Sequence, residues 1–235
     1  MNGPSEATLA RVQAASGLTF ATFLVLHLVN TTIASTGQAN YDAFQGGARA
    51  YYQWVLVELL VIGLAPLVHI WASLLRGLRR RRRRAPAAPL RTRLHRYAGY
   101  FLLVFVPGHV FAVRAPALVL GQTVDMSFVS FSMHHFPVSF TAYYGLLALA
   151  GLYHLVHGAL AALRLSKVAL SSAWFARDAR RFWAIVSVGA ALLVTGVLAI
   201  GGHLYSLDES RFDTWHATYE RLLPYLPLPK AQPRP

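Results

Sequence analysis

The sequence predicts an all-α integral membrane protein, a five-helix bundle, and three observations carry that prediction. Charged residues make up 13% of the 235 positions and hydrophobic ones 55%, whereas an ordinary soluble domain carries about 25% charge. A chain so poor in charge cannot cover a water-facing surface. Five charge-poor stretches of about 20 residues, the length that crosses a bilayer, follow one another along the chain. The charges are also lopsided, 22 Lys and Arg against 9 Asp and Glu, and most of the excess lies in two of the intervening segments. There is no cysteine, which excludes disulfides, thiolate catalysis, cysteine-based zinc sites and iron–sulfur clusters held by this chain alone.

The predicted spans are 12–35, 51–75, 95–115, 139–163 and 182–205, forming one domain over 1–206 with a tail over 207–235. The first, VQAASGLTFATFLVLHLVNTTIAS, follows Arg11 and meets no charge before Asp42. It exceeds the 7–15 residues of a signal-peptide core and is read as a span. The second lies between Arg49 and Arg76 and is interrupted only by Glu58. The third, YAGYFLLVFVPGHVFAV, is short, but its flanking Arg96 and Arg114 can snorkel to the headgroups. The fourth falls between Asp125 and Arg164, with its helix starting near Ser139, and the fifth begins at Phe182. Beyond Leu207, the residues Trp215, Tyr219 and Leu222 predict a short surface helix.

Five crossings put the termini on opposite sides, and the positive-inside rule orients them. Arg76, Arg79 to Arg84, Arg91, Arg93 and Arg96 lie in one loop, Arg164, Lys167, Arg177, Arg180 and Arg181 in the other loop on that side, with Arg11 before the first span. The opposite side holds Arg49, Arg114, Arg211, Arg221, Lys230 and Arg234 among most of the acids. The N-terminus is expected in the cytoplasm and the C-terminus outside, in the cytoplasmic (inner) membrane. The arginine run at 79–84 then reads as a topology determinant touching anionic lipid, and no nucleic-acid partner is expected.

An ionisable residue within a span is costly and marks a functional site. The spans hold His27, His69, His109, His154 and His157, with His203 at the outer rim. At 1.5 Å per residue, His27 and His109 lie about 20 Å from the inner surface, whereas His69, His154 and His157 lie about 10 to 15 Å from it. Two pairs at two depths is what two bis-His haems b require, each imidazole giving one axial ligand. Small residues surround these positions: Ala150, Gly151 and Gly158 on the His154 face, Gly17 ten residues before His27, and Gly99 ten before His109. The repetition suggests a duplicated helical hairpin.

On SGLTFATFLVLH with His27, ELLVIGLAPLVHI with His69, AGYFLLVFVPGH with His109 and YHLVHG with His154, the chain resembles the five-helix, di-haem cytochrome b membrane anchors of succinate:quinone oxidoreductases and quinol:fumarate reductases (succinate dehydrogenase cytochrome b subunits). The resemblance implies haem iron bound by His27 and His109 in an outer site and by His69 and His154 in an inner one; His157 is an alternative ligand that matches the depth of His69 better, and the H-x-x-x-G pattern from His154 to Gly158 favours His154. It implies a flavoprotein subunit and an iron–sulfur subunit on the cytoplasmic face, and electron transfer between them and quinone, menaquinone or ubiquinone. The chain would be a wire within such a complex, with no catalytic residue of its own. One departure stands out: where some diheme members carry a glutamate used in proton movement, this chain has Leu152.

Glu58 is the one carboxylate within a span, three turns before His69 and at the depth of the outer pair. It reads either as a proton-exchanging group for quinone or as a rim acid paired with Arg49 or Arg114. Two alternative functions remain at this level: a di-haem subunit of another respiratory complex, and a haem-free transporter that uses the intramembrane histidines.

Overall fold

The computed structural model describes residues 4–82, 87–165 and 179–224. Arg83 and Arg84 of the arginine run, Lys167 and Arg177 of the second basic loop, and the tail beyond 224 lie outside them. Among the described residues there are helices and turns and no strand. The helices are α1 (Glu6–Ile33), α2 (Gln38–Tyr52), α3 (Val55–Arg82), α4 (Leu90–Leu120), α5 (Met126–His135), α6 (Pro137–Leu165), α7 (Ala179–Ile200) and α8 (Phe212–Leu222). Five of them, α1, α3, α4, α6 and α7, are long and apolar enough to cross a membrane.

Local chemistry explains the helix ends. Ser5 caps α1, its hydroxyl accepting from the Thr8 amide at 3.1 Å, and Glu6 in the first turn favours the positive end of the helix dipole. Arg79 to Arg82 close α3, where cations favour the negative end. Within α1, Ser16 donates to the Val12 carbonyl at 2.7 Å and Thr19 to Ala15 at 3.0 Å, so neither hydroxyl faces lipid unpaired. Residues 58–64 of α3 widen into a π-helical turn just before Pro66, which has no amide hydrogen to give.

Packing follows from which faces are small. α1 sits on α3, α6 and α7, α6 sits on α4 and α7, and so α1 and α6 form the middle of the bundle. The α1–α7 crossing depends on Gly196, because a Cβ there would stand 1.9 Å from the Thr31 carbonyl oxygen. Large apolar side chains including Leu67, Trp71, Val104, Phe111 and Val188 remain exposed, as required of a surface solvated by hydrocarbon.

The structure adds a cap at the end away from the arginine run, of which the sequence anticipated one part, the short helix carrying Trp215, Tyr219 and Leu222. The cap is built from α2, α5 and α8, and it extends the fourth predicted segment with a separate helix at Met126–His135. Trp215 of α8 is fully buried and donates its indole N–H to Ser127 Oγ at 2.7 Å. Arg211 lies 4.3 Å above the Trp215 ring and pairs with Asp125, while Asp42 of α2 accepts from the Met126 amide at 2.8 Å.

Candidate functional site

The site lies inside the bundle, in a cavity of about 1320 Å³ lined by His27, His69, His109 and His154. Drug-sized ligands occupy pockets of about 300–1,000 Å³, so this space is large enough for more than one such molecule.

The histidines meet across the bundle in two pairs. His27 of α1 faces His109 of α4 with ring centroids 5.9 Å apart. His69 of α3 faces His154 of α6 at 6.0 Å. The second pair lies nearer the arginine-rich end and is called the near pair, the first the far pair. A metal atom between two imidazoles needs two bonds of about 2 Å, plus about 1 Å from each nitrogen to its ring centre, or about 6 Å in all. Both pairs have that separation.

The near pair is held by a repeated device. His69 Nδ1 donates to the Gln13 carbonyl at 2.9 Å and His154 Nδ1 donates to the His95 carbonyl at 3.2 Å. Each acceptor lies four residues before a glycine, Gly17 and Gly99, and each glycine is where the ring passes: an added Cβ would fall 2.8 Å from His69 Nδ1 and 2.9 Å from His154 Cε1. With its Nδ1 proton committed to a carbonyl, each ring leaves the Nε2 lone pair free for a metal. The far pair has a different surround. His27 stacks on Phe23 at 5.7 Å, and His109 lies 6.2 Å from the ring of Tyr144, whose hydroxyl is 3.3 Å from Ser132 Oγ.

The remaining candidates fall elsewhere. His157 stacks on His95, with ring centroids 4.6 Å apart, whereas the ring that meets His69 is that of His154. Glu58 binds Arg114 at 2.6 Å, the arrangement of a paired rim acid. Leu152, at the position of the missing glutamate, packs on α7, where a Cβ at Gly189 would stand 3.0 Å from its side chain. His95 is the residue that sequence reasoning passed over, since it sits among Arg91, Arg93 and Arg96 and reads as part of a basic loop. Its signal was the repeat itself, because His95 precedes Gly99 by the interval that separates Gln13 from Gly17.

Residues 104–208 match the model of the transmembrane domain of MDM10-complementing protein 1. No curated protein and no solved structure matches the chain. The family match spans a little under half of the sequence and contains His109 and His154, one member of each pair. Together with the five apolar helices it makes this a multi-pass membrane protein.

The match overturns the resemblance to succinate dehydrogenase and fumarate reductase anchors. With it go the role as electron-transfer subunit between an iron–sulfur subunit and quinone, the flavoprotein, iron–sulfur and quinone partners, and the respiratory-chain, cytochrome b and haem character inherited from that family. The alternative placements, in another respiratory complex or as a haem-free transporter, gain no support either. The reason is physical. A glycine ten residues before a histidine, or H-x-x-x-G, reports a ring passing a helix backbone, and any bundle with histidines at such crossings carries it whatever its ancestry. The metal-binding expectation needs the same correction in one form: among the described residues no group of three or more His, Asp or Glu side chains is arranged to hold a metal ion.

Proposed function

We propose that this is a membrane protein that holds two haem b groups, one between His69 and His154 and one between His27 and His109. The reading rests on no family. The observation that carries it is the pair of diagonal imidazole contacts at 6.0 and 5.9 Å inside one cavity, the near rings each fixed by a backbone carbonyl and passed by a glycine.

Held by His69 and His154, or by His27 and His109, such a group would supply one-electron redox chemistry. The chain's own residues do the rest. Gln13 and His95 present carbonyls that set the tautomer and orientation of the near ligands. Gly17 and Gly99 leave the room those rings occupy. Phe23 and Tyr144 pack the far ligands, and the α2–α5–α8 cap covers the far end of the bundle. The excess of Lys and Arg at the opposite end supports an orientation with that end, and the N-terminus, in the cytoplasm.

The test is spectroscopic. Purified protein should give two haems per chain in a pyridine-haemochrome assay. Redox titration should resolve two components, with His69→Ala and His154→Ala removing one and His27→Ala and His109→Ala removing the other. A preparation from haem-replete cells with no Soret absorbance would sink the reading, as would four variants that lose haem without this grouping.

A further inference from the structure

Beyond the near pair, the cavity continues toward the arginine-rich end and changes character. The His95 ring lies between those of His154, at 4.0 Å, and His157, at 4.6 Å. The Nδ1 atoms of both His95 and His157 are buried with no hydrogen-bond partner among the described residues. A buried polar nitrogen left unpaired is costly and calls for an explanation. Three guanidinium groups, those of Arg80, Arg81 and Arg96, line the same cavity. Among the described residues none of them has a carboxylate partner. Their neighbour Arg76 is different, being taken up by Glu6 at 2.8 Å and by Gln13. Among the described residues this end of the cavity therefore offers two unmatched imidazole nitrogens and three guanidinium groups without a carboxylate partner, while Glu6 is already engaged by Arg76.

We infer that His95 and His157, with Arg80, Arg81 and Arg96, bind the carboxylates of the tetrapyrrole held by His69 and His154. The inference rests on the two-haem reading and deepens it. A b-type tetrapyrrole is an apolar plate with two acidic side arms, and the cavity has the matching polarity: glycine and apolar helix surface beside the near pair, donors and guanidiniums at the mouth. Charge-assisted hydrogen bonds from guanidinium to carboxylate are the strong kind. The same placement makes His157 a carboxylate donor, which removes it as a rival axial ligand to His154.

The experiment uses the full chain in a neutral detergent, with His27→Ala/His109→Ala to leave the near site alone, titrated with haemin and with haemin dimethyl ester and followed by absorbance. The ester keeps the iron and the plate but carries no acid. It should bind at least tenfold more weakly than haemin, and the gap should shrink to within twofold in His157→Leu. Arg80→Gln/Arg81→Gln/Arg96→Gln, at the polar end, gives the same measurement where His157→Leu fails to fold. Equal binding of acid and ester in the starting protein overturns the inference, as does a gap that both variants leave intact. Equal binding together with stabilisation by added phosphatidylglycerol, lost in the arginine variant, assigns the cluster to a lipid phosphate instead. Failure of the haem reading itself looks different: tight binding of both compounds that survives His154→Ala, or no binding of either, overturns that reading and this inference with it.

Discussion

Replacing Gly17 by alanine tests the device that holds the near pair, because the structure gives opposing terms of known size. Alanine is favoured over glycine in a helix by about 0.8–1 kcal/mol, and at Gly145 of α6, where nothing lies within 4 Å of an added Cβ, that gain should appear undiminished. At Gly17 the new methyl group would stand 2.8 Å from His69 Nδ1, too close for any carbon. The ring must move, and it is tied to the Gln13 carbonyl at 2.9 Å. Losing that bond and leaving a buried donor unmatched costs about 1–3 kcal/mol. Gly17→Ala should therefore be destabilising by up to about 2 kcal/mol, against a gain of up to about 1 kcal/mol for Gly145→Ala. Thermal unfolding of the two variants in one detergent, followed by circular dichroism, measures the difference. Equal melting temperatures would show that His69 is not held where the structure puts it, and the argument for the near site would fall with that result.

Other perturbations give outcomes of their own. Gly196→Ala puts a methyl group onto the Thr31 carbonyl at 1.9 Å and should cost about 3 kcal/mol or more, read as loss of the monodisperse peak in size-exclusion chromatography. Glu58→Gln removes the acid from the Arg114 pair, whose side chains are 34% and 26% exposed, so the loss should stay below about 1 kcal/mol; a melting point lowered as far as by Gly196→Ala would contradict the rim-acid assignment. Among the described residues the near pair has Nδ1–carbonyl bonds and the far pair has none, and such supporting bonds are worth about 10–100-fold in metal-site affinity. Haemin titrated into the apoprotein should therefore fill the near pair first, checked by comparing His27→Ala/His109→Ala with His69→Ala/His154→Ala. In the cap, burial lowers the pKa of His135 from its ordinary value, ahead of the opposing bond to the Phe131 carbonyl and the weaker influences of His134, His216 and Glu209. The unfolded chain then binds more protons than the folded one below the ordinary value near 6.5, so stability falls as pH drops through that point. His135→Phe should flatten this part of the pH profile of thermal unfolding.

The spans were legible because lipid permits few solutions: a run of about 20 apolar residues must be a helix. Their ends were not, since α4 continues from Leu90 to Leu120 through arginines that hydropathy counts as loop. The cap was legible only in part, through the spacing of Trp215, Tyr219 and Leu222 in α8. What joins its helices is a set of particular contacts such as Trp215 to Ser127 and Asp42 to Met126, which follow from tertiary placement and leave no period in the sequence. Histidine depth could be counted along each helix, so which rings share a level was accessible. What the rings bond to was not. The acceptors are backbone carbonyls of Gln13 and His95, and a carbonyl is present at every residue; only the glycine four positions later marks the ones a side chain can reach.

That marking explains why the two hairpins look alike while the two pairs do not. In each repeat the first helix carries a glycine near the arginine-rich end and a histidine ten residues further on, and the second helix supplies a ring that lies over the glycine. The near pair is thus made of the two second-helix rings, His69 and His154, each resting on the backbone of its own hairpin. The far pair is made of the two first-helix rings, His27 and His109, which meet only when the hairpins associate. A near ligand can be oriented within one hairpin, as soon as its two helices pack. The far ligands have no such local support and depend on the α1–α6 contact and on aromatic packing by Phe23 and Tyr144. One sequence repeat therefore produces a preorganised site and a site completed by assembly, and the cap formed by α2, α5 and α8 sits at the end where assembly has to be secured.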